Sequence, residues 1–213
     1  MPVYLLIYFL LLFVAAVLAL LPGRYDRSLY FIAALLFSDL VEELIHFYTN
    51  KYIVYHLFVP VYYDLFACYF LANIPVKKVQ TVLAWSLIVF PVLSLALSFF
   101  KTGFDQFPSY QINSISVLLI LICLIALYAM NIEDETPIIR RPIFWISIST
   151  LIFYSSDFIV IGLRSYLSRY DKPLADSLNQ TVQRGLNYLY YLLIIIGMLL
   201  CTRSAGKSSS PSS

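Results

Sequence analysis

The chain has 213 residues, of which 61% are hydrophobic and 12% charged, with a formal net charge of +2. That balance excludes an ordinary soluble domain, in which about one residue in four is charged, and the charge is too small for a nucleic-acid partner. Cys68, Cys123 and Cys201 all fall in apolar sequence, odd in number and without zinc spacing, and read as small core residues.

Seven apolar runs follow one another at roughly 2–21, 28–48, 52–73, 79–100, 111–131, 143–163 and 184–202, each close to the ~20 residues that cross a bilayer core as a helix. The predicted fold is all-α: a polytopic membrane protein, a bundle of seven transmembrane helices over 1–203, with a disordered Ser-rich cytoplasmic tail at 204–213. The first run lacks a basic flank and is too long for the apolar centre of a signal peptide, so it is expected to stay as a helix, ended by Pro22-Gly23.

The second and third runs are unusual. Asp39, Glu42, Glu43 and His46 fall at steps of three and four, within an arc of roughly 100° on one helix face. After the polar break Thr49-Asn50-Lys51, a face of the third helix is expected to carry Tyr52, His56, Pro60, Tyr63 and Asp64. Ionisable groups at membrane depth are expensive and by default mark a functional site. The fourth run is apolar, and only its Pro91 and the third run's Pro60 interrupt a span. The fifth starts with Gln111, Asn113, Ser114 and Ser116, the sixth carries Asp157, and the seventh starts with Asn187, Tyr188, Tyr190 and Tyr191. LLFSDLVEEL at 35–44 and LIFYSSDFIVIGL at 151–163 share a Ser-Asp pair, as a parallel repeat in a 3+1+3 arrangement would.

At 1.5 Å per residue, His46 and His56 lie roughly 3 and 6 Å below one membrane face, Glu42, Glu43 and Asp157 about 8–9 Å, and Asp39 and Asp64 roughly 14 and 18 Å. Polar groups of five helices thus meet at one pole, and a cavity open to that face is expected. No Lys or Arg lies inside a span, so the acids must be protonated, paired with a histidine, reached by Arg164 or Arg184, or bound to a cation.

Orientation follows from the connections. Arg24, Arg27, Lys77, Lys78, Arg140, Arg141, Arg203 and Lys207 lie at one pole; the short opposite loops carry only Lys51 and Lys101. With the longer 164–183 connection discounted, this places the N-terminus outside and the C-terminus in the cytoplasm, in a cell inner (plasma) membrane. The short loops leave no room for a kinase, cyclase or DNA-binding domain, and no loop lysine can form a buried retinal Schiff base.

A ligand- or cation-binding site is expected to involve Asp39, Glu42, Glu43, His46, His56, Asp64 and Asp157. Glu43-x-x-His46 has the spacing of di-iron carboxylate helices, which makes Glu43, His46 and His56 the candidates for a divalent metal; otherwise no cofactor is expected. The favoured function is a small sensor or transport module. The alternatives are an intramembrane hydrolase and a structural subunit whose acids hold helices together. Expected partners are membrane lipid and a second protein or a copy of the chain itself.

Tyr55-His56, Pro142-x-Phe144-Trp145 and Leu151-Ile152-Phe153-Tyr154-Ser155 resemble a family of small uncharacterised bacterial membrane proteins over most of the chain. The resemblance implies seven helices and no particular activity. That pattern has an acid about six residues after the histidine; here the position is Tyr62, and Asp64 is the nearest acid. Leu151 to Asp157 (LIFYSSD) and Asn187-Tyr188-x-Tyr190-Tyr191 resemble lysoplasmalogenases, membrane hydrolases of vinyl-ether lysolipids. This second resemblance implies acid–base roles for Asp39 and Asp157 and lateral entry of a lipid. Those hydrolases have eight helices and a Gly-Asp pattern, where this chain has Phe37-Ser38 before Asp39.

Overall fold

The computed structural model describes residues 3–21, 26–49, 51–130, 137–167 and 169–207, with the side chains of 3, 165, 176, 178, 179 and 201–207 left aside. All regular structure among them is helical: α1 (Val3–Leu20), α2 (Leu29–Thr49), α3 (Ile53–Asn73), α4 (Lys77–Leu97), α5 (Ser109–Tyr128), α6 (Pro142–Leu167) and α7 (Lys172–Lys207). A π-helical turn, Ser98–Thr102, continues α4, and a 3-10 turn, Ile138–Arg140, precedes α6.

Five helical stretches are long and apolar enough to cross a membrane: Ile53–Asn73, Lys77–Thr102, Ser109–Tyr128, Pro142–Arg164 and Lys172–Leu200. In α1 the apolar stretch is shorter, Tyr4–Leu20. In α2 the exception has a chemical cause, because Asp39, Glu42 and Glu43 stand in its second half.

Six helices close a ring. Each packs on the next in the order α1, α2, α3, α5, α6, α7, and α7 returns to α1. α4 lies outside, packed on α3 with a small contact to α5, and exposes Val82, Trp85, Ile88 and Val92. The connectivity is that of two sequential three-helix units, α1–α3 and α5–α7, meeting along α3–α5 and α1–α7, with α4 as the link.

Local chemistry explains several boundaries. Asp26 accepts the Ser28 amide (3.0 Å) and hydroxyl (2.6 Å) at the entry to α2, and Asn73 at the end of α3 donates to Ser28 Oγ (2.8 Å), tying that hairpin shut. Pro142 opens α6, where a missing N–H costs nothing, and Trp145 Nε1 donates to the Ile139 carbonyl (2.7 Å). Gly197 of α7 lets that helix close on α6: a Cβ there would run into the Cβ and ring of Trp145.

One expectation is corrected. The 164–183 stretch, expected as a loop, is mostly helix: α6 runs to Leu167 and α7 begins at Lys172 instead of 184. Asp171 accepts the Leu174 N–H (3.0 Å) and Pro173 sits in the first turn, a capped helix start in polar sequence. At its other end α7 is described to Lys207, and residues 208–213 of the expected tail lie outside the described residues. Cys68 and Cys123 are free and at least half-buried, while the Cys201 side chain lies outside the described residues.

Candidate functional site: an acidic, tyrosine-walled cavity

A cavity of about 260 Å³ opens at the pole where α1, α5 and α7 begin and α2 and α6 approach their ends. Helix periodicity decides which side chains reach it. From α2 come Leu35, Asp39, Glu42 and Glu43, and from α3 Tyr55, Val59 and Tyr62. α6 supplies Phe153, Tyr154, Asp157 and Arg164, and α7 supplies Gln183, Asn187, Tyr190 and Tyr191. Tyr8, Ile112, Ile115 and Phe107 complete the wall. Each set steps by three or four residues, one face per helix.

Hydroxyl and amide hydrogens from neighbouring helices meet the carboxylates. Tyr191 donates to Asp39 and itself accepts from Tyr8 (3.2 Å), a chain that joins α1, α7 and α2. Tyr62 donates to Glu42 across α2 and α3. Gln183 donates through Nε2 to Asp157 Oδ1 (2.5 Å) across α6 and α7. Glu42 is only 2% exposed, and its Oε1 is buried without a hydrogen-bond partner among the described residues; so is Gln183 Oε1. Four carboxylates face one guanidinium, Arg164, on this wall. Arg184 instead lies over the Tyr4 ring, 4.0 Å from its centroid, and donates to Gln180 Oε1 (3.2 Å).

Of the residues expected at the site, Asp39, Glu42, Glu43 and Asp157 share this wall, while His46, His56 and Asp64 do not. His46 lies on the cavity side of α2 but one turn further out, where Nδ1 donates to the Lys51 carbonyl (3.3 Å) and the ring packs on Tyr55 at 4.7 Å. His56 is one residue from Tyr55, so it points roughly 100° away from the cavity. It is fully buried. Nε2 faces the Gln106 carbonyl (2.8 Å), which can only accept, so Nε2 carries a hydrogen, and Nδ1 is in hydrogen-bond contact with Ser98 Oγ (2.8 Å). Gln111, also fully buried, donates to Ser98 Oγ and to the Ser94 carbonyl (2.5 Å). The network fixes the 103–108 loop, with Phe104 against His56 (5.3 Å) and Phe107 on the cavity wall.

Asp64 falls roughly 180° from the Tyr55–Val59–Tyr62 face, and its Oδ1 is buried without a partner among the described residues. Among the described residues, no three His, Cys, Asp or Glu side chains are grouped to hold a metal, so Glu43, His46 and His56 do not form one ligand set in this arrangement.

Sequence reading missed Tyr8, Tyr55, Tyr154 and Gln183 as wall residues, and Tyr62 was noted only where an acid would stand. The available signal was their three- and four-residue spacing to groups already singled out, such as Tyr154 to Asp157 and Gln183 to Asn187. Searches of protein-family models, of curated proteins and of solved structures find no match for this chain.

Proposed function

We propose that this is an integral membrane protein whose seven helices all cross the bilayer, and that it binds a cationic ligand in the cavity at one pole, as a small sensor or transport module. One observation carries the reading: among the described residues, a cavity wall has four carboxylates against one guanidinium, and on it Glu42, almost wholly buried, has an oxygen with no donor. Buried carboxylates left without partners are costly, and a bound cation supplies what the protein withholds. A membrane setting is supported by the five long apolar helices and by the outward faces of the ring. α2 joins them in this reading because its acids turn inward. Eight Lys and Arg residues at the far pole against six at the cavity pole support an extracytoplasmic cavity and a cytoplasmic C-terminus in the cell inner membrane.

The test is thermal stability of the purified protein in detergent, titrated with monovalent, divalent and organic cations. A ligand at a hundred times its Kd adds about 2.7 kcal/mol, a shift of several degrees. Glu42→Gln should lose most of the shift. If no cation raises the melting temperature and Glu42→Gln and Asp39→Asn behave as wild type, the reading fails.

A second reading, a lipid hydrolase, draws on Asp39 and Asp157 sharing one wall, each with a side-chain hydrogen-bond donor. It requires aldehyde release from a vinyl-ether lysolipid, abolished in Asp39→Asn with binding retained.

A further inference from the structure

We infer that the occupant is a primary ammonium group rather than a bare metal ion or a quaternary ammonium; this rests on the binding reading above. Eight of the nineteen lining residues are aromatic, among them Tyr55, Tyr62 and Tyr154. The faces of such rings attract organic cations. The same pole already shows the pairing within the protein, the Arg184 guanidinium standing 4.0 Å from the Tyr4 centroid.

Two buried acceptors without donors among the described residues, Glu42 Oε1 and Gln183 Oε1, come from α2 and α7, the two helices that flank α1. An R–NH₃⁺ group carries three N–H donors and satisfies such acceptors directly, whereas a quaternary ammonium has none to give. A calcium or magnesium ion needs about six oxygens converging within about 2.0–2.6 Å. Here phenol and amide hydrogens already occupy lone pairs of Asp39, Glu42 and Asp157, and the described residues offer no ligating group of three. The cavity volume, about 260 Å³, is far above the ~30 Å³ share of one water, so it has room for a carbon skeleton behind the nitrogen.

The amine can come from a soluble molecule or from an aminolipid headgroup, and one experiment separates them. Protein in detergent is titrated with n-butylammonium, tetramethylammonium, potassium and magnesium, following melting temperature and tyrosine fluorescence. The n-butylammonium titration is then repeated in nanodiscs of phosphatidylethanolamine and of phosphatidylglycerol. Saturable binding of butylammonium, at least about tenfold tighter than tetramethylammonium, is expected, and Glu42→Gln should weaken it by about tenfold or more. Tyr55→Leu should weaken it about threefold to tenfold, and Tyr55→Phe should keep it, since the ring face remains. Competition by phosphatidylethanolamine alone upholds the inference with a lipid as the source; equal binding in both nanodiscs upholds it with a soluble amine. Binding of potassium or magnesium without butylammonium, or preference for tetramethylammonium, overturns the inference while cation binding stands. Binding of none overturns both.

Discussion

Tyr62 serves Glu42 as a neutral donor. It brings a hydrogen to a carboxylate whose other oxygen has none. Removing that hydroxyl while keeping the ring, Tyr62→Phe, should therefore destabilise the protein by about 1–3 kcal/mol, the cost of a buried acceptor left unpaired. The measurement is the melting temperature in detergent, and each kcal/mol should lower it by about 2–4 °C. In the double variant with Glu42→Gln the two effects should not add, because the partners touch; additive losses would mean that the contact does not carry the cost. The acids were legible in the sequence because charge is conspicuous in apolar surroundings. Tyr62 was not, because a tyrosine in the middle of an apolar run reads as ordinary packing until its partner on the neighbouring helix is known. His56 lies one residue from the Tyr55 that lines the cavity wall. Both neighbouring faces of α3 are polar, so only packing decides that Tyr55 turns inward and His56 toward Ser98 and Gln106.

Among the elements, the α6–α7 pair and the 103–108 loop are the most exposed to test. Gly197→Ala forces a methyl into Trp145 and should cost about 1–3 kcal/mol through overpacking. Gly162→Ala and Gly185→Ala meet nothing within 4 Å and should be neutral or stabilise by up to about 1 kcal/mol, since alanine is the better helix former. Thermal melts of the three variants check this, and equal losses would refute the close approach at Gly197. His56→Ala should free the Gln106 carbonyl and loosen the loop that places Phe107 on the cavity wall. Faster amide hydrogen exchange over 104–109, with α3 itself unchanged, is the expected result. The helical start of α7 was hidden for a simple reason: hydropathy measures affinity for lipid, and 172–183 is polar. Asp171 and Pro173 marked the helix start by a different kind of signal, capping chemistry.

On the scale of the whole molecule, the number and order of helices could be read from seven apolar runs, since only helices satisfy their own backbone in an apolar medium. The ring could not, because adjacency depends on contacts between residues far apart in the chain. The ring does give the Ser38-Asp39 and Ser156-Asp157 echo a place: α2 and α6 are the middle members of the two three-helix units, and both acids stand on one cavity wall. Topology is tested by single-cysteine labelling in a background without Cys68, Cys123 and Cys201. An impermeant maleimide added to intact cells should reach residue 105 and leave residue 78 unmodified; the reverse would invert the orientation but keep the cavity at the same pole.

α4 adds nothing to the cavity wall, yet the wall depends on it. In a chain that reverses direction at every short connection, one extra crossing decides which way up the next three helices stand. With α4 in place, α5–α7 repeat the sense of α1–α3, and Asp157 arrives at the same end as Asp39. Without it the second unit would enter upside down, and its aspartate would come to the end where Asn73 and Arg140 lie, leaving two half-sites at opposite ends of the bundle. The outermost helix is thus a parity element: its presence decides that there is one acidic cavity instead of two separated fragments.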